Sequence, residues 1–229
     1  MLKKFRIYLA FIISIFIFVP SFAQDKQFNQ LYKPLPLIKR LSYENFKNIK
    51  LLQSAIMNYG GGESEVEQLI DQYAEASALY FQNRIDDAAN KFSENERGIL
   101  KVAQNLAKKY KDDSESLLIQ AIKLNIKTSL RRSLNGEKRN EVADKLLANA
   151  QFGVQKGNDF YDRYKAAHTA PPSELVSSIY YYRRAKENLF LMYEVTDLDP
   201  QEKKSFFDQH KKDIEDNNNR IYKSREKEN

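Results

Sequence analysis

Leu175-Val176-Ser177-Ser178-Ile179-Tyr180-Tyr181-Tyr182-Arg183-Arg184-Ala185-Lys186-Glu187-Asn188-Leu189-Phe190-Leu191-Met192 is the stretch that decides the fold. Val176, Ile179, Tyr182, Ala185, Leu189 and Met192 recur at steps of three and four, the spacing of one helical face. Three consecutive tyrosines cover about 200° of a helix at 100° per residue, so the stripe through Tyr182 cannot also take in Tyr181. Leu189-Phe190-Leu191-Met192 then closes most of the circle with apolar groups. A helix apolar all round is either the middle of a bundle or shared with another molecule. Arg183, Arg184 and Lys186 speak against complete burial, and both alternatives stay open. Tyr180, Tyr181 and Phe190 are the candidate partner-binding residues, because aromatic side chains are what protein interfaces favour.

The same period runs outward in both directions, and no segment alternates with period two. Pro34-Leu35-Pro36 opens a first helix that runs to about Asn58 and stops at Tyr59-Gly60-Gly61-Gly62. Ser64 and Glu67 form a capping box for the second. Asn83-Arg84 reads as a turn, and a third helix starts near Asp86. Asp112-Asp113-Ser114 reads as the cap of a fourth. Asn135-Gly136 is the clearest break in mid-chain, with a long fifth helix after it, to about Ala167. Pro171-Pro172 stops that helix and Ser173-Glu174 restarts a sixth. Asp199-Pro200 caps a seventh, with Glu202 at its third position. The expected fold is all-α, about seven antiparallel helices with short connections. Leu79 to Phe92 resembles half a tetratricopeptide repeat, with Ala88 and Phe92 as its small and aromatic residues. No 34-residue period recurs, so the likeness stops at one hairpin.

Of the 229 residues only 7 are Gly and 6 are Pro, too few turn formers for a β-sandwich or an α/β protein of this size. Residues 1–23 read as a secretory signal: a basic start (Lys3, Lys4, Arg6), a 13-residue apolar run from Ile7 to Val19, and Ser21-Phe22-Ala23 before a cleavage at Gln24. The run is too short to span a bilayer. The chain has no Cys, so neither a lipid anchor at that position nor disulfides nor thiolate sites are available. The formal charge of +6 falls to +3 once the three basic residues of the signal leave, too small a surplus for a nucleic-acid partner. The expected product is periplasmic, with an N-terminal helical lobe over residues 24–136 and a C-terminal lobe over residues 137–229, continuous with the first.

No reaction is announced. His168 and His210, the only two histidines, are 42 positions apart and lack metal-ligand spacing. Gly60-Gly61-Gly62-Glu63-Ser64 lacks the lysine and the preceding strand of a phosphate loop. Asp86/Asp87, Asp112/Asp113, Asp197/Asp199/Glu202 and Asp213/Glu215/Asp216 sit at helix starts or on polar faces. Hence no catalytic residue, no metal and no cofactor is expected, and the chain reads as a non-enzyme. Gly153 and Gly157 each cost about 1 kcal/mol against Ala inside a helix, which close approach of another helix, or a kink, would compensate.

An exported, cysteine-free, helical chain with tyrosine-rich helices is similar to the flagellar coiling proteins of spirochaetes. Leu79-Tyr80-Phe81-Gln82-Asn83-Arg84-Ile85-Asp86-Asp87-Ala88-Ala89 and Ile179 to Leu189 carry the likeness, which spans the mature chain without a short diagnostic motif. The resemblance implies a V-shaped, two-lobed fold and a structural role in the sheath of the periplasmic flagellum. It also implies packing beside other sheath proteins over a flagellin core, with self-association in a lattice. A periplasmic helical adaptor or chaperone that grips peptides or envelope proteins in a groove is the alternative, and an unrecognised hydrolase a third.

Overall fold

A computed structural model describes residues 34–59, 63–167 and 170–221, which leaves the expected signal, Gly60 to Gly62 and His168 outside it. Among the described residues there are six α-helices and no strand: α1 Pro34–Tyr59, α2 Glu63–Phe81, α3 Ile85–Leu134, α4 Glu141–Ala166, α5 Pro172–Val195 and α6 Pro200–Ile221.

Most breaks fall where turn chemistry put them. Asn83 takes a φ of 61° between α2 and α3, and Gly136 one of 72° after α3, the left-handed conformation that asparagine and glycine tolerate best. Asn140 accepts from the Ala143 amide at 3.1 Å to cap α4, and its amide nitrogen donates to the Val195 carbonyl. Pro172 occupies the first turn of α5. Asp199 accepts from the amides of Gln201 and Glu202, as an N-cap should.

The expected third and fourth helices are one. α3 runs unbroken for 50 residues, about 75 Å at 1.5 Å per residue. Asp112-Asp113-Ser114 caps nothing, because the helix runs through it and two of the three side chains are engaged within the bundle. The Ser114 hydroxyl donates back to the Lys111 carbonyl within the helix, Asp113 reaches Lys186 on α5, and Asp112 faces solvent. The buried stripe passes straight through, as Leu106, Tyr110, Ser114, Leu117 and Ala121.

Three apolar clusters lie along α3. One end joins α1, α2 and the start of α3, with Ala88 and Phe92 buried in it. The other joins the end of α3 to α4, α5 and α6. The middle cluster draws on both sides, Leu52 and Leu106 meeting Ile179 and Tyr182. α5 packs against α1, α3, α4 and α6, and α3 against α1, α2, α4 and α5. The closest neighbour of α5 is α4. A Cβ on Gly153 would lie 3.0 Å from the Ala185 Cβ, and one on Gly157 would collide with the Tyr182 ring. The two glycines mark the close helix approach that their spacing suggested.

Candidate interaction surface

Successive residues of α5 point 100° apart, and the tyrosine triplet shows it. Tyr182 is wholly buried, Tyr181 is half-buried on the flank, and Tyr180 keeps 44% of its surface exposed. The Tyr182 hydroxyl donates to Asn158 at 2.7 Å, and the Asn158 amide donates to Glu115 at 2.9 Å, which links α5, α4 and α3. Burial, and then the negative charge of Glu115, raise the Tyr182 phenol above its usual range. Burial alone would raise the Glu115 carboxyl, but hydrogen bonds from Lys111 and Asn158 outweigh it and hold the group below its ordinary value.

Tyr180 and Tyr181 belong to an aromatic ladder on the outer edge of the α4–α5 pair. The Tyr181 ring stacks on Phe160, centroids 5.5 Å apart and planes 15° from parallel. Tyr180 meets Tyr181 edge-on at 5.5 Å. The Arg163 guanidinium lies 4.2 Å from the centre of Phe160, and exposed Phe152 sits further along α4 beside Lys156. Cations over rings and rings over rings hold this edge rigid while one face of it stays wet. Rigid aromatic groups of that kind lose little side-chain freedom on binding another protein.

Phe190 does not join them. It is buried beneath α6, 6.2 Å from Phe206 and 5.4 Å from His210. Beside it, Tyr193 and Phe206 stack in parallel at 3.6 Å. His210 lies on the inward seam of α6, where burial and the positive charge of Lys186 lower its pKa against the opposing pull of Asp113 and Asp213.

Lys186 is the residue the sequence misled on. Its side chain is 1% exposed and clasped by Asp113 of α3 and Asp213 of α6, with the Tyr110 ring 5.6 Å away. Arg183, one turn back, is driven below its ordinary pKa by burial, with Tyr110 and Asp213 opposing. A buried lysine held by two carboxylates pins three helices together and is satisfied where it stands. The step of four from Tyr182 and of three to Leu189 was the signal: Lys186 lies on the buried stripe.

Of the other carboxylates singled out in the sequence, Asp87 pairs with Arg84, Asp197 with Arg132, and Asp199 caps α6, while Asp86 and Asp112 face solvent. Two more apolar surfaces were not foreseen. Tyr43, Phe46, Tyr80 and Phe81 are exposed on α1 and α2, beside a groove of about 780 Å³ lined by Leu35, Ile38, Tyr73 and Phe81. Ile119, Ile126, Leu130 and Leu134 are exposed along the second half of α3. No described helix is long and apolar enough to cross a membrane. Comparison with protein-family models, with curated proteins and with solved structures returns no match to this chain.

Proposed function

We propose that this chain is a non-enzymatic structural protein of the sheath around the periplasmic flagellar filament, exported with its signal removed before Gln24. In that role it packs beside other sheath proteins over the flagellin core and contributes to filament curvature and to motility. The observation that carries the reading is the number of separate docking surfaces. The α4–α5 ladder, the α1–α2 aromatic group and the α3 aliphatic row lie on different helices, and each is larger than scattered surface apolar residues require. A lattice component needs contacts on several sides at once.

The V-shaped, two-lobed arrangement belongs to the same reading, with lobes 24–136 and 137–229 joined by the Asn135-Gly136 turn and sharing the middle cluster along α3. Its support is that the two end clusters are built from different sets of helices and share only α3. The test is a strain lacking the gene: isolated periplasmic flagella should lose curvature, and motility should fall. Flagella of unchanged shape would reject the role.

The second reading, a periplasmic adaptor or chaperone, is favoured by the groove between α1 and α2. It is distinguished by where the protein is found, since an adaptor stays in the soluble periplasm when the flagella are removed.

A further inference from the structure

From Ser64 to Phe81, α2 carries Glu65, Glu67, Asp71 and Glu75 and no basic residue. From Leu117 to Leu134, α3 carries Lys123, Lys127, Arg131 and Arg132 and no acidic one. Both helices have an apolar stripe on the side away from their own bundle. On α3 it is Ile119, Ile126, Leu130 and Leu134, all exposed and confined to an arc of about 80°. On α2 it is Ile70, Ala74, Ala78 and Phe81, also exposed and also within about 80°.

The charges repeat at the same interval. Glu67, Asp71 and Glu75 follow one another at steps of four, as do Lys123, Lys127 and Arg131. Each set flanks its stripe on the same rotational side. When two such helices face each other in parallel, those flanks fall on opposite sides of the seam. In antiparallel they fall on the same side and meet. Setting Ala74 opposite Ile126 brings Ile70 to Leu130 and Phe81 to Ile119. The same register carries Glu67, Asp71 and Glu75 to within about half a turn of Arg131, Lys127 and Lys123. The alanines let the backbones approach closely, and the large aliphatic groups of α3 fill the space above them.

One molecule cannot make this contact with itself. The Leu69 carbonyl of α2 accepts from Asn95 of α3, and Ile126 lies 31 residues further on, about 45 Å along the helix. Pairing α3 with α3 of another copy would set Lys123, Lys127 and Arg131 of both along one seam. None of these three has an ion pair among the described residues, and neither has Glu67 or Asp71; Glu75 is shared with Lys91 at the surface.

We propose that the second half of α3 in one copy docks antiparallel on the outer face of α2 in another. The two surfaces differ, so a pair of copies in such a contact keeps one face of each kind for the next, and the association continues as a chain. This deepens the assembly reading by naming a self-association surface, and it is measured on purified protein without any filament, so either can fail alone.

The test is sedimentation velocity of the full chain at low salt. One variant reverses the basic row, Lys123→Glu with Lys127→Glu and Arg131→Glu; a second reverses the acidic row, Glu67→Lys with Asp71→Lys. The unaltered chain should form species larger than a dimer that shrink in high salt, as screened charges require. Each variant alone should sediment as a monomer with unchanged helicity, its self-association weakened at least about tenfold. Mixed together they should form an alternating chain, because native rows meet at one contact and reversed rows at the next. A chain carrying all five substitutions should associate again. An unaltered chain that stays monomeric, or a mixture that does, overturns the proposal, as does either single-row variant associating like the unaltered chain.

Discussion

Alanine replacing each of Tyr180, Tyr181 and Tyr182 in turn should separate folding from assembly along one helical turn. Tyr182 is fully buried, fills the space above Gly157 and donates to Asn158. Its truncation should cost about 3–5 kcal/mol, as for other large aromatic groups in cores. Tyr181 is half-buried and stacked on Phe160. Losing the stack, worth about 0.5–1.5 kcal/mol, and part of the buried area puts Tyr181→Ala near 1–2 kcal/mol. For a chain of this length that lowers the melting temperature by about 2–8 °C. Tyr180 is mostly wet, and Tyr180→Ala should change stability by no more than about 0.5 kcal/mol. Binding should run the other way. Tyr180→Ala and Tyr181→Ala should each weaken filament association by about 1–3 kcal/mol, roughly 5- to 150-fold. Tyr182→Phe, which keeps the ring in the core, should bind normally. Thermal unfolding by circular dichroism and filament co-sedimentation on the same preparations supply both orders. If Tyr180→Ala and Tyr181→Ala co-sediment like the unaltered chain, the ladder is not the docking surface.

Other consequences follow from the packing. Gly157→Ala should lower the melting temperature, because collision with Tyr182 costs about 1–3 kcal/mol and outweighs the helix-propensity gain of about 1 kcal/mol; a rise would mean that α4 and α5 are further apart. Lys186→Met should destabilise by about 3–5 kcal/mol by leaving Asp113 and Asp213 facing each other, and adding Asp113→Asn and Asp213→Asn should restore most of it in urea unfolding. His210 is held below its ordinary pKa of 6.5, so its neutral form is favoured in the folded chain. Its contribution is whole above about pH 6.5 and is lost as pH falls through the lower folded value, where the unfolded chain takes up the proton first. Replacing it by Phe should flatten stability between pH 7 and 5, and an unchanged slope would place the acid sensitivity elsewhere.

Where the chain turns was written in local chemistry. Asn83, Gly136, Pro171-Pro172 and Asp199-Pro200 act through their own backbone preferences and needed no tertiary knowledge. Gly153 and Gly157 were also legible, since an interior helical glycine demands a neighbour. Asp112-Asp113-Ser114 was not, because a cap and a buried tertiary contact use the same residue types, and only α5 and α6 decide between them. Lys186 was read by its charge when its position on the buried stripe was the better guide. Phe190 needed α6, whose aromatic residues cover it. The α3 row escaped notice because a helix with two apolar sides reads as a wider core face until one side is seen uncovered.

The most direct measurement of the central claim is where the native protein resides when periplasmic flagella are isolated intact. The chain should travel with the filaments, in amounts that scale with filament length, and be released only by treatments that strip the sheath. Recovery in the soluble periplasmic fraction, with filaments free of it, would contradict the assembly reading and leave the groove between α1 and α2 as the surface to explain.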